Sequence, residues 1–220
     1  MKPAMKPLLP VTALLCATAL AALPMVATAQ TQSGLNYNYV EGGYVATNLD
    51  NNDNEIDADG VGANASLALS ENFHLFGGFN RQDTDTFNFF ADRERHRVNT
   101  QTSQWRIGLG YNLPIAASTD LVARAAYEKF NLDDVTVAGH RYRVGDNDSG
   151  YSAEVGVRTA FNANFEGHAY AGYEDFGDGA DDFYGRLGAQ VNFNPNWGLS
   201  GDVKFIDGDS QWFVGPRYRW

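Results

Sequence analysis

From Val40 onward, apolar or small residues recur at every second position. A period of two sends successive side chains to opposite faces of an extended strand. Ten windows carry this pattern, at 40–46, 61–69, 73–79, 105–111, 121–127, 151–161, 165–173, 183–193, 197–205 and 212–220. No residue on the apolar face of any window is charged, and Thr159 is its one polar member. The other face carries Glu41, Arg106, Arg124, Glu128, Glu154, Arg158, Glu166, Glu174, Arg186, Asp202, Lys204, Arg217 and Arg219, six acids against seven bases. In a soluble sandwich the polar face looks into water. An apolar outside around a polar, nearly charge-balanced inside is the arrangement of a transmembrane barrel. Lipid also compels such a sheet to close, because an open edge leaves backbone groups without partners.

The pattern therefore predicts an all-β fold, an antiparallel up-and-down transmembrane β-barrel of ten strands. Eight strands is the alternative, because the last long-side connection, Asp207 to Ser210, is itself short. Aromatic residues bracket the windows, with Tyr44, Phe79, Trp105, Tyr151, Phe183 and Trp212 at one end and Phe73, Phe161, Phe193, Trp197 and Trp220 at the other. Two interfacial girdles predict that bracketing. Connections alternate in length. The short set, at 70–72, 113–119, 162–164 and 194–196, reads as periplasmic turns; the other set, at 48–59, 84–102, 133–149, 177–182 and 207–210, reads as extracellular loops. Tyr37 and Tyr39 fall out of phase with Tyr44, which makes Gly42-Gly43 a candidate β-bulge.

The N-terminus adds a compartment. Lys2 and Lys6 precede an apolar run from Leu8 to Val26 and a small-x-small site, Ala27-Thr28-Ala29. That is the layout of a secretory signal peptide. Pro7, Pro10 and Pro24 argue against a spanning helix, and Leu15 before Cys16 argues against a lipoprotein site. The expected domains are a signal peptide at 1–29, cleaved near Ala29-Gln30, and a barrel at 30–220 in the cell outer membrane. The mature part has no cysteine, so disulfides and thiol chemistry are excluded. Removing the two lysines leaves 14 basic against 27 acidic residues, a balance unsuited to nucleic acid.

Burying ionised groups in a narrow lumen requires that they pair. The expected network consists of Glu41, Arg106, Arg124, Glu128, Glu154, Arg158, Arg186, Asp202 and Lys204. In the first loop Asp50, Asp53, Asp57 and Asp59 are a weak calcium candidate: counted from Asp50, the sixth position is Glu55 where an EF-hand needs glycine. In the second loop Arg93, Arg95 and Arg97 are candidates for contact with lipopolysaccharide phosphates, although Asp92 and Glu94 are interleaved. The final strand places Trp212, Val214, Tyr218 and Trp220 on one face, the expected signal for barrel-assembly machinery. Four histidines are present, His74 and His168 inward and His96 and His140 in loops, but no motif assembles a base, an orienter and an oxyanion site. No enzyme activity and no cofactor is expected.

The segments NYVEGGYVATN, NFHLFGGF, QWRIGLGYN, DLVARAAYEKF, GYSAEVGVR, YGRLGAQV, NWGLSGDVK and QWFVGPRYRW resemble a family of small xanthomonad outer-membrane β-barrels, once proposed as the activator of a rice immune receptor. The resemblance covers nearly the whole mature chain and extends in general form to small OmpA/OmpX-like barrels. It departs in the second and third outer loops, which are longer here. It implies location and fold, without an enzyme activity. The expected function is a barrel with a charge-paired, occluded lumen, acting through surface loops in binding or envelope structure. The alternative is a narrow, slow cation-preferring channel. Expected partners are outer-membrane lipid, lipopolysaccharide, the assembly machinery and an unidentified host or surface ligand.

Overall fold

A computed structural model describes residues 34–220 apart from 52–53, 85–86, 92–93, 138–139, 143–145 and 178–180, with the side chains at 49–56, 85–99 and 133–147 also outside the described set. The elements are β1 (Tyr39–Asn51), β2 (Asn54–Ala68), β3 (Phe73–Thr84), β4 (Phe87–Ala91), β5 (Glu94–Ala116), β6 (Thr119–Val137), β7 (His140–Tyr142), β8 (Asp146–Asn162), β9 (Phe165–Asp175), β10 (Asp181–Asn192), β11 (Trp197–Ile206) and β12 (Asp209–Arg219). Antiparallel pairing runs β1-β2-β3-β5-β6-β8-β9-β10-β11-β12, and β12 returns to β1 from Tyr39↔Arg219 to Asn48↔Ser210. The result is a closed ten-stranded up-and-down barrel, which removes eight strands as an alternative. Strands β4 and β7 are short extensions paired to the far ends of β5 and β6.

Both described chain ends lie at the rim that carries the short turns. Asparagines shape two of these turns. The Asn162 side-chain carbonyl accepts from the Asn164 N–H at 2.9 Å, and that of Asn194 accepts from the N–H groups of Asn196 and Trp197 at 2.9 and 2.8 Å. Such side-chain turns close a chain reversal without help from outside.

Three long connections differ from expectation. The stretches 48–59, 84–102 and 133–149 are largely strand, so the barrel wall continues as paired hairpins. Strand β5 alone has 23 residues, whereas about 9–11 suffice to cross the apolar core. Beyond the membrane both faces of a hairpin meet water, so alternation fades while backbone pairing persists.

The bulge expected at Gly42-Gly43 is also absent. Strand β1 pairs with β2 in unbroken register, and Tyr37 and Tyr39 share the inward parity of Glu41. Register shifts occur instead at Gln101/Thr102, Pro114/Ala116 and Ala160/Asn162. Gly43 marks a close approach: a Cβ there would lie 2.1 Å from the Val214 carbonyl oxygen.

Outward residues are those of the apolar pattern. Val61, Leu109, Tyr151 and Phe183 are all more than half exposed. A belt of aromatics runs round each rim. On the hairpin side Trp105, Tyr127 and Tyr151 touch in sequence, with ring centroids 5.6 and 5.5 Å apart. On the turn side Phe161 meets Phe165 at 5.4 Å, and Trp197 meets Tyr218 at 5.0 Å.

Candidate functional site in the barrel lumen

The lumen is filled by a rule that pairs bulk with absence. Across the β3–β5 ladder His74 faces Gly110 and Phe76 faces Gly108. Across the β8–β9, β9–β10 and adjacent ladders Tyr170 faces Gly156, Tyr184 faces Gly172 and His168 faces Gly188. In each case a Cβ on the glycine would come within 2.8 Å of the facing ring. Large inward rings thus lie flat across the neighbouring strand, where ordinary residues would force them into one another.

At the turn-side rim the segment before β1 folds into the mouth. Tyr37 is buried, and its hydroxyl donates to Asp120 Oδ2 at 2.8 Å. Its ring stacks on His74 at 4.6 Å, and the Arg158 guanidinium sits 4.8 Å from its centroid. Arg158 also donates to the Asn36 carbonyl at 2.9 Å, and the Asn36 amide donates to the Trp220 carbonyl at 3.0 Å. Tyr37, Val122 and Tyr170 form the apolar cluster of this region, with Leu35 packed against it.

Above this cap, polar groups join strand to strand. Arg158 pairs with Glu166 at 2.6 Å, and Glu166 also receives Arg219 at 2.8 Å and the Asn192 amide at 3.2 Å. Asn192 bonds Gln190, which accepts from Arg217 at 2.5 Å. Arg217 holds Glu41 at 2.6 Å, and Glu41 also accepts from Ser200 at 2.6 Å and Asn64 at 3.0 Å. One connected chain therefore runs from β8 through β9, β10 and β12 to β1 and β2. A second set joins Arg124 to Glu154 at 3.0 Å, Arg124 to the Tyr170 hydroxyl at 3.1 Å and the Tyr184 hydroxyl to Glu154 at 3.1 Å, with Arg186 at 3.9 Å from the same carboxylate. Glu128 accepts from Ser152 and from the Gln104 amide. Lys204 pairs with Glu174.

Of the nine residues expected in the network, Glu41, Arg124, Glu154, Arg158, Arg186 and Lys204 make ion pairs. Glu128 is held by neutral donors. Among the described residues Arg106 and Asp202 make no ion pair within 4.0 Å; both border a cavity of about 60 Å3 with Glu128, Arg186 and Lys204. Four partners were missing from the expected set: Glu166, Glu174, Arg217 and Arg219. Their inward parity was legible, but pairing needs register, and Arg158 meets Glu166 diagonally while it faces His168. Tyr37, Tyr170 and Tyr184 carry no charge and gave no charge-pattern signal, and Asp120 lies one residue before the 121–127 window.

Other expected sites lie at the surface. Asp57 and Asp59 are exposed on β2, and Asp57 accepts from the Asn48 amide at 2.6 Å. Asp53 and the Asp50 side chain lie outside the described residues. Among the described residues no three His, Cys, Asp or Glu side chains converge to hold a metal ion. Arg93 and the side chains of Arg95 and Arg97 are likewise outside the described residues; the backbones of Arg95 and Arg97 pair with Phe90 and Asn88. Trp212, Val214, Tyr218 and Trp220 are exposed on the lipid side of β12.

The family described as Outer membrane protein beta-barrel domain matches residues 12–184. No curated protein sequence matches the chain. The translocator domain of autotransporter NalP from Neisseria meningitidis has a similar structure, at 13% identity and TM-score 0.52, covering 95% of this chain and 97% of that one. The outer membrane protein OprG from Pseudomonas aeruginosa aligns at 10% identity and TM-score 0.47, covering 86% and 98%. Ail, the attachment invasion locus protein of Yersinia pestis, crystallised with the heparin analogue sucrose octasulfate, aligns at 12% identity and TM-score 0.43, covering 83% and 97%. At such identities the first of these likenesses is one of fold.

Proposed function

This chain belongs to the outer membrane protein beta-barrel domain family, and from that premise we propose that it is a non-enzymatic barrel with an occluded lumen, acting through the hairpins that project from the cell. The observation that carries this reading is the connected chain of buried ion pairs and hydrogen bonds from Arg158 and Glu166 through Asn192, Gln190 and Arg217 to Glu41, together with the Tyr37 cap below it. Each buried carboxylate there has cationic or neutral donors, which is the condition for burying charge. Water-filled passage would require a continuous gap, and the middle of the lumen offers a cavity of about 60 Å3, room for a few waters.

Residues 1–29 act as a cleaved signal peptide, and 30–220 form the mature barrel. The short turns then face the periplasm and the hairpins the exterior. Trp212, Val214, Tyr218 and Trp220 form the strand that assembly machinery reads, so deleting Trp220 lowers the folded fraction. Arg93, Arg95 and Arg97 meet lipopolysaccharide phosphates. The narrower likeness to the xanthomonad barrels rests on the eight segments quoted above and carries no ligand with it. Asp57 and Asp59, exposed on β2, are solvated rather than calcium ligands.

The second reading, a narrow cation-preferring channel, draws on the carboxylates Asp148, Glu174 and Asp209 near the outer mouth. Arg106, Arg186 and Lys204 oppose it, since all three line the cavity of about 60 Å3 in the lumen and outnumber the carboxylates Glu128 and Asp202 there. The distinguishing test is swelling of proteoliposomes in small neutral solutes. Occlusion predicts a rate equal to that of protein-free liposomes. A channel predicts a rate that rises with protein and falls with solute size.

A further inference from the structure

The Tyr37 cap rests on a histidine that has no room for a second proton. His74 is 1% exposed, and its Nδ1 meets Asn112 Oδ1 at 3.4 Å. The Asn112 amide nitrogen donates to the Glu71 carbonyl at 3.0 Å, which turns Oδ1 toward the ring. An amide oxygen only accepts, so Nδ1 carries the hydrogen and Nε2 is the bare nitrogen. Nε2 lies against Gly110, where an added Cβ would fall 2.1 Å away, and it has no hydrogen-bond partner among the described residues. Tyr37 stacks on the ring at 4.6 Å, and Phe76 lies 6.2 Å away.

The titratable groups of this end of the lumen are Tyr37 before β1, Asp120 and Arg124 on β6, Arg158 on β8, and Glu166 and Tyr170 on β9. Strands β2 and β5 place Ala68 and Gly110 opposite His74. Arg124 is paired with Glu154 and Arg158 with Glu166. Asp120 accepts from Tyr37 through Oδ2, while its Oδ1 is buried without a partner and is a second place for a proton. A protonated His74 would bury a charged N–H with no acceptor, which is costly. We propose that His74 is an acid-operated release for the cap: the neutral ring holds Tyr37 in the turn-side mouth, and protonation at Nε2 expels the 34–38 segment. The seated cap takes the neutral ring alone, whereas a released, hydrated ring takes a proton in the ordinary imidazole range near about 6.5. Acid therefore favours release, by up to about tenfold per pH unit below that range, and neutral pH favours the seated segment. The switch rests on the cap of the occluded reading, and it operates whether or not the rest of the lumen conducts.

The test uses the full mature barrel in detergent micelles, followed by nuclear magnetic resonance from about pH 8 to about pH 3.5, a span set around the imidazole range. In the wild type the backbone amides of residues 35–38 are expected to lose their dispersed positions as the His74 ring titrates, with one midpoint for both. H74F keeps a stacking ring without a proton site, and its segment is expected to stay seated through the wild-type midpoint. D120N keeps the histidine and is expected to release with it. Heat-modifiable mobility checks that each variant folds, and the joint titration in the wild type decides alone where one does not. A wild-type segment that stays seated across the span, a segment that leaves apart from the His74 midpoint, or an H74F segment that leaves at the wild-type midpoint each overturns the switch. Release lost in D120N and kept in H74F overturns it in favour of the carboxylate. A wild-type barrel that conducts steadily at neutral pH with the segment seated contradicts the occluded reading and leaves the switch standing.

Discussion

Glu41 and Arg217 face each other across the seam where β1 and β12 close the barrel, and the guanidinium Nε donates to the carboxylate at 2.6 Å. The first and last strands are thereby joined by a buried ion pair as well as by the backbone ladder. Both residues are nearly inaccessible, with 6% and 8% exposure. Replacing Arg217 by Met leaves Glu41 with Ser200 and Asn64 as donors and no compensating charge. The expected loss is about 3–5 kcal/mol, as for other broken buried pairs. The double replacement E41Q/R217M is expected to recover part of that loss. Urea unfolding in micelles measures both, and additive effects in the double-mutant cycle would show that the pair is uncoupled.

The Tyr37 cap separates ring packing from hydrogen bonding. Tyr37→Phe keeps the stack on His74 and the face beneath Arg158, and loses the bond to Asp120. Its expected cost is about 1–3 kcal/mol, the range for leaving a buried acceptor unpaired. Tyr37→Ala removes the ring from the apolar cluster with Val122 and Tyr170, at an expected cost of about 3–5 kcal/mol. The second variant is also expected to admit small solutes from the turn-side rim into the lower lumen. A thermal melt that ranks the two equally would assign the cap's role to the hydroxyl alone.

Two glycine substitutions form a matched pair. A Cβ at Gly110 would fall 2.1 Å from His74 Nε2, whereas nothing stands within 4 Å of a Cβ at Gly185. Gly110→Ala is expected to expel His74 and destabilise by about 1–3 kcal/mol. Gly185→Ala faces lipid and is expected to be neutral or mildly stabilising. Equal folding yields and unfolding midpoints for the two would contradict the packing rule of the lumen.

How far the sequence reached follows from what alternation encodes. Parity alone separated Val61, Leu109 and Phe183 from Glu41, Arg124 and Arg158, because membrane and lumen impose opposite polarity on one period. The inward tyrosines Tyr37, Tyr39, Tyr170 and Tyr184 escaped that filter, since their rings are apolar enough to read as membrane-facing. Pairs such as Arg158–Glu166 and Lys204–Glu174 depend on register and diagonal reach, which composition does not carry. The hairpin extensions escaped for a third reason: the ladder of Asn99↔Thr136 and Thr100↔Val135 continues where no lipid selects one face.

Topology is tested by accessibility. Asp57→Cys lies on an exposed part of β2 near the hairpin tips, and Asn194→Cys lies in a short turn at the opposite rim. On intact cells an impermeant maleimide is expected to label the first. The second is expected to react after the outer membrane is permeabilised. The reverse order would invert the barrel in the membrane.

The central claim is that the lumen is closed by buried charge pairs and the Tyr37 cap, and the most direct measurement is current through the wild-type barrel in a planar lipid bilayer. The account predicts a closed baseline with rare, brief openings, and more frequent or larger openings for Arg124→Ala, which releases Glu154 and the Tyr170 hydroxyl at once. A steady, large wild-type conductance, unchanged in Arg124→Ala, would contradict it.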